Sequence, residues 1–214
     1  MNLTEARDNF ARATEHCENL IAVHRGYGGD AAGRRIKEVS VNRAVVVLAV
    51  ASWQAVIQDY VHAVLDLSRP SAGSIAITSA TYSVIAGRAQ TEVEAFATPN
   101  AQNCRRLLQG VGFDPRPHWT WRQRGGRGVG MVTVTPHDAD TRIDEWLKVR
   151  HAIAHGHDEL PTVQALQAVR LASGPPPSDP TIRLVDAEQC VTFFRRLAVI
   201  TGAAIADHLG IPAP

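Results

Sequence analysis

Residues Ser40 to Ser68 read S-V-N-R-A-V-V-V-L-A-V-A-S-W-Q-A-V-I-Q-D-Y-V-H-A-V-L-D-L-S, and whether they form a strand or a helix decides the fold. The β-branched run Val45–Val47 suits a strand. However, the apolar pattern continues with no Gly or Pro to interrupt it until Arg69-Pro70, and only a helix sustains such a run. Val45 to Ala51 is apolar all round. The pattern then becomes amphipathic at Trp53, Val56, Ile57, Tyr60, Val61, Val64 and Leu65. A helix apolar on every side lies at the centre of its fold. Asn42 reads as its cap. The longest apolar run, Ala44 to Ile57, is broken by Ser52 and Gln54; at 14 residues it is too short to span a bilayer.

Helices are predicted on both sides of this one. Upstream, Thr4 reads as the N-cap of a helix whose face carries Phe10, Ala13, Cys17 and Ile21. Gly26, Gly28, Gly29 and Gly33 then form a loop, so residues 1–39 are an N-terminal helix and a glycine-rich connection. Downstream, a helix is predicted over Ser74–Phe96. Asn100 caps a short helix through Leu107 and Leu108, closed by Gly110 or Gly112. Phe113 to Thr135 has no helical period, and weak strand signals occur at Gly130–Thr135 and Thr181–Val185. Thr135, Pro136 and Asp138 form a helix start. Thr162–Ala172 reads as a short helix and 173–181 as a flexible insert. Asp186 with Gln189 resembles a capping box opening a last helix to Leu209. The class is all-α: one compact bundle, 1–214, around the 40–68 helix.

The chain has 214 residues, 45% hydrophobic and 20% charged, with a net charge of +1. These are the values of a globular domain with a real core. The near-zero charge excludes a polycation, so any nucleic acid must be held by a local patch. Cys17, Cys104 and Cys190 are widely spaced and odd in number; they read as buried thiols in a reducing compartment. The first ten residues lack an apolar core, so no signal peptide is expected. The expected location is cytoplasmic, with no membrane partner.

Chemistry concentrates in Ile143–His157, I-D-E-W-L-K-V-R-H-A-I-A-H-G-H, which holds three of the nine histidines. Ile143, Trp146, Leu147 and Ile153 give it a helical period, and Gly156 stands where a helix would stop. Arg150 and His155 suffice for metal-free RNA cleavage: arginine forks onto phosphate oxygens, and histidine moves protons. The same residues also suit plain capping of a helix C-terminus, where cations are favoured. Five residues turn about 140° on a regular helix. Arg150 and His155 therefore diverge unless the helix ends before His155 or two chains share the site. His151 and His155, four apart, share a face and with His157 could chelate a metal, but no H-E-x-x-H pattern accompanies them.

Two further groups are candidates. Arg122, Arg124 and Arg127 lie among glycines beside Trp119 and Trp121, a mixture that suits single-stranded RNA and equally a solvated loop. Asp59, on the polar side of the central helix, is a candidate to orient Arg150 or a histidine, or it marks the solvent face.

Arg150 to Gly156, R-H-A-I-A-H-G, resembles the R-x4-6-H signature of the HEPN superfamily, all-α domains that include metal-independent endoribonucleases. Ala51–Tyr60, Phe96–Phe113, the W-L-K-V-R-H-A-I-A-H-G helix and the last helix from Asp186 are similar, in that order, to the RiboL-PSP-HEPN type. That type includes nucleases of toxin and defence systems. The resemblance implies RNA cleavage leaving a 2′,3′-cyclic phosphate, with no cofactor and no metal, by a homodimer whose two R-x4-6-H segments share a cleft. It implies Arg150 and His155 as the catalytic pair and His151 as a supporting residue, with an antitoxin or other regulatory protein among the partners. Toxins of this kind that are silenced by nucleotide transfer carry a tyrosine where this chain has His157. The rival expectations are a non-catalytic RNA-binding or dimeric module and a metal-dependent hydrolase.

Overall fold

A computed structural model describes residues 1–26, 34–125, 130–167 and 181–214. Among them are six α-helices, α1 (Leu3–Gly26), α2 (Arg34–Leu67), α3 (Ala76–Glu94), α4 (Ala101–Gln109), α5 (Pro136–Ala154) and α6 (Leu184–Leu209). A two-stranded hairpin, β1 (Trp121–Arg124) and β2 (Met131–Val134), and two short 3-10 turns complete the set. The chain is an all-α bundle with α2 at its centre: Val45, Val46, Ala49, Trp53, Ile57 and Val61 are all buried.

Side-chain links fix how the helices run. Asn42 donates to the Ile182 carbonyl (3.2 Å), Trp53 stacks on Phe194 (5.6 Å between centroids) and the Tyr60 hydroxyl donates to the Ala198 carbonyl (2.8 Å). Successive α2 positions thus meet successive α6 positions, and the two helices are parallel. Asn9 binds Asp59, Cys17 lies on the Val45 carbonyl, and Arg25 pairs with Glu188 at the start of α6, so α1 runs antiparallel to both. Arg116 joins Asp140 at 2.8 Å, and the segment just after it is held to the later part of α6 by Trp119 on Thr201. Arg142 lies over the Phe193 ring (5.6 Å), so α5 also runs antiparallel to α6. One end of the bundle therefore collects the C-termini of α1 and α5 and the N-termini of α2 and α6.

The helix ends follow local chemistry, with corrections to three expected caps. Asn2, not Thr4, caps α1: its Oδ1 accepts from Glu5 N–H, and Glu5 reaches back to Asn2 N–H (both 2.9 Å). Asn42 lies inside α2, which begins at Arg34 rather than Ser40; its buried amide braces α6 instead. Asp186 is not the cap of α6 but its third helical residue, accepting from the N–H of the extended cap residue Arg183. For the same reason, the strand signal at Thr181–Val185 gives way to helix from Leu184. The Asn100 cap of α4 and the Thr135–Asp138 capping box with Pro136 form as expected. Of the helix expected at Thr162–Ala172, Gln164–Gln167 is a 3-10 turn, and the remainder from residue 168 lies outside the described residues. The insert at 173–180 and most of the glycine loop also lie outside them.

By length and composition α2 and α6 could each cross a membrane, but 56% and 61% of their apolar windows are buried against the rest of the bundle, as in the core helices of a globular domain. Cys17, Cys104 and Cys190 are free and buried, and burial pushes the Cys17 thiol up to about 11. Such thiols are inert.

Asp186 carries a testable pH dependence. It is 1% exposed, one carboxylate oxygen has no hydrogen-bond partner, and burial raises its pKa to about 6. An unfolded aspartate titrates near 3.9. Between these values the folded chain binds more protons than the unfolded one, so stability falls as pH rises, and the loss is complete above about 6. Asp186→Asn keeps an acceptor for Arg183 N–H and cannot ionise. Urea unfolding is expected to show it stabilised by about 1–3 kcal/mol at pH 7.5, with little gain at pH 4. An equal gain at both pH values contradicts this account.

Candidate active site

The last turn of α5 shows how this chain separates Arg150 from His155. The helix ends at Ala154, with His155 as its C-cap. Gly156 follows at φ +67°, a conformation that favours glycine. His157 N–H bonds to the Ala152 carbonyl (2.9 Å) and Gly156 N–H to that of Ile153 (3.1 Å), the paired closure of a Schellman motif. The helix stops at Ala154, yet His155 N–H still bonds to the His151 carbonyl at 3.0 Å, so His155 keeps its helical position beside His151 and the divergence from Arg150 remains within one chain.

The three histidines are gathered by that turn. His151 and His155 have ring centroids 6.3 Å apart, edge to face; His155 and His157 stack at 6.0 Å. His155 and His157 are exposed and His151 half-buried. Burial lowers the His151 pKa, and the charges of Arg150 and His155 lower it further. At neutral pH His151 is therefore an uncharged imidazole able to accept a hydrogen bond or a proton. Arg150 is half-buried, and its buried Nε has no hydrogen-bond partner. Among the described residues it forms no ion pair with a carboxylate. A guanidinium held without a counter-charge is a ready anion contact. Among the described residues no three His, Cys, Asp or Glu side chains are placed to hold a metal ion.

The other predicted residues lie elsewhere. Asp59 does not orient Arg150. It accepts from Asn9 across the α1–α2 seam, and it lies toward the C-terminal end of α2, whereas α5 ends beside the N-terminal end. Trp119 and Trp121 are not stacking platforms for bases. Trp119 is fully buried, with its indole N–H on Thr201 (3.0 Å), and Trp121 packs on Phe193. The composition of the loop concealed this: each tryptophan belongs to the core, and the arginines that follow them, Arg122 and Arg124, face out. Arg122 and Arg124 are exposed, two apart on β1, and so share one face of the hairpin. Arg127 lies outside the described residues. The hairpin leads into the N-terminus of α5, about 20 Å along the helix from Arg150, so the structure does not join these arginines to the histidine cluster.

One candidate was missed. Arg43 is half-buried on α2, its Nε buried and unpartnered. Through Phe193 and Phe194, Trp53 is level with Arg142. Ten residues back along α2 and eight forward along α5 bring Arg43 and Arg150 to heights within about one helical turn. The signal was present in the sequence, because Arg43 is the only charged residue between Glu38 and Asp59. Among the described residues, this end of the bundle thus offers two arginines with unpartnered Nε atoms and three histidines, all favourable to an anion. No protein-family model matches the chain, and no curated protein or solved structure matches it either.

Proposed function

We propose that this chain is a metal-independent endoribonuclease whose reaction centre is the C-terminal end of α5. Arg150 carries the reading: a permanent charge with a buried, unpartnered Nε stands next to His151 in the chain and five residues before His155, where a phosphodiester would supply the missing counter-charge. The 2′-oxygen attacks the neighbouring phosphorus and the bond to the 5′-oxygen breaks. One imidazole takes the proton of the 2′-hydroxyl, a second protonates the leaving oxygen, and Arg150 offsets the charge gathering on the phosphoryl oxygens. The products are a 2′,3′-cyclic phosphate and a 5′-hydroxyl.

The similarity of Arg150–Gly156 and its ordered neighbours to HEPN nucleases supports the same chemistry. It adds a second copy facing the first across this end, a cytoplasmic setting, and control by an antitoxin or another regulatory protein. His155 serves as proton carrier, with His151 and His157 assisting.

Single-stranded RNA incubated with purified protein in EDTA is expected to be cut and to carry cyclic-phosphate ends. Cleavage abolished by EDTA, or fragments ending in 3′-hydroxyls, refutes the proposal. The exposed Arg122–Arg124 face favours a second reading, an RNA-binding module without turnover. That reading predicts salt-dependent binding and intact RNA in the same assay.

A further inference from the structure

From Ser71 to Gly87 the chain carries no charged residue, yet most of this stretch is exposed. Ile75, Ile77 and Val84 are 69%, 67% and 72% exposed, and Ile85 is 42% exposed. A 34-residue core helix explains the apolar character of α2; nothing comparable explains α3, whose first three turns touch the bundle along one edge only. There the Tyr82 hydroxyl donates to the Leu65 carbonyl at 3.0 Å. Beside that edge lies a cavity of about 470 Å³ between α2, α3 and the turn after α4, walled by Val64, Leu65, Ile77, Thr81, Ile85 and Val111.

We propose that this face binds a second copy of the chain. Ile77 and Val84, seven residues apart, stand on one stripe of α3; Val84 stands clear of the cavity, whereas Ile77, Thr81 and Ile85 line it. Protruding aliphatic side chains and a cavity that can receive them therefore lie next to each other on one surface. A two-fold contact needs this self-complementarity, because each copy gives what the other accepts. Charge points the same way. A face without charge offers nothing to an acidic or basic partner and matches an uncharged face, which a second α3 supplies. The exposed aliphatic groups make a patch on the order of 500 Å², near the upper end for a monomer and most of the roughly 800 Å² per partner that a stable pair buries.

This contact is separate from any pairing of the α5 ends. Leu65, beside the cavity, is about 33 Å along α2 from Arg43. The inference goes beyond the nuclease reading and stands whether or not the chain cuts RNA.

Light scattering after gel filtration is expected to give the folded Ile77→Asp and Val84→Asp variants half the wild-type mass at unchanged helicity: one 23.2 kDa chain where α3 is the sole contact, and a pair where the α5 ends also meet. A wild type that stays monomeric at micromolar concentrations overturns the proposal, as do folded aspartate variants that keep the wild-type mass. Should the aspartates unfold the helix, Val84→Cys gives the answer. The three native cysteines are buried, so thiol labelling reports position 84. Labelling that slows as protein concentration rises is the expected result, and a rate independent of concentration rejects the contact.

Discussion

Arg150→Ala and His155→Ala are each expected to lose at least about 100-fold in RNA cleavage in EDTA while unfolding at nearly the wild-type temperature. The two halves of that statement rest on different observations. His155 is exposed and closes α5 through its backbone, its N–H bonding to the His151 carbonyl at 3.0 Å; an alanine there keeps the bond. Among the described residues Arg150 has no carboxylate to leave unpaired, so its removal relieves an uncompensated charge rather than creating one. Each change is therefore worth less than about 1 kcal/mol of stability. The chemical loss is larger because a positioned acid–base group contributes roughly 10²–10⁴-fold and a preorganised charge on a developing oxyanion a similar factor. Arg150→Lys is expected to fall between wild type and alanine, since lysine keeps the charge and lacks the planar fork. His151 supplies an independent readout. The charge of Arg150 is one of the causes holding its pKa down, so Arg150→Ala is expected to raise the His151 pKa in an NMR titration. Full cleavage by both alanine variants, or a His151 titration unmoved by the loss of Arg150, counts against this role.

The helices were legible in the sequence because their causes are local. The uninterrupted apolar run of α2, the Asn100 cap and the Thr135–Asp138 box each act within a few residues, and each element forms where its signal lies. Gly156 marked the end of α5 for the same reason. What the sequence hid depends on partners far along the chain. Asn42 has the composition of a cap, but Ile182, distant in sequence, supplies the carbonyl that draws it into the core. Trp119 looks like part of an arginine-rich loop until Thr201 and Trp53 surround it. Asp59 has the right chemistry for a supporting carboxylate and the wrong height, which only the antiparallel course of α5 reveals. Arg43 is the converse case, a charge in an apolar helix that gains meaning once α5 ends beside it. The unpaired face of α3 was equally hidden: its pattern reads as an ordinary helix, and only the exposure of Ile77 and Val84 shows that the fold leaves it uncovered.

Gly202→Ala is expected to destabilise the chain by about 2–4 kcal/mol, although alanine is ordinarily the better helix residue by about 1 kcal/mol. Tyr60 reverses the usual sign. Its hydroxyl crosses from α2 to the Ala198 carbonyl on α6, one helical turn before residue 202, and passes over the space a Cβ would fill. A methyl group built on Gly202 meets that oxygen at 2.7 Å and the ring carbon beside it at 3.1 Å. Tyr60 is 2% exposed and cannot swing into solvent. The seam must therefore open or the hydroxyl must give up its acceptor while still buried. Opening the seam costs about 1–3 kcal/mol as overpacking, and an unsatisfied buried hydroxyl costs about as much. For a domain of this length the net loss lowers the melting temperature by roughly 5–15 °C. Tyr60→Phe removes the clashing oxygen together with the hydrogen bond. The double variant is accordingly expected to be more stable than the sum of the two single changes predicts, by about 1 kcal/mol or more. Strict additivity in urea unfolding would show that α2 and α6 do not meet through this pair. With coupling of that sign, the central helix is held to α6 by a hydrogen bond that only glycine at position 202 permits, which fixes the height of α6 against α2 and, through it, the end of the bundle where Arg150 and the histidines gather.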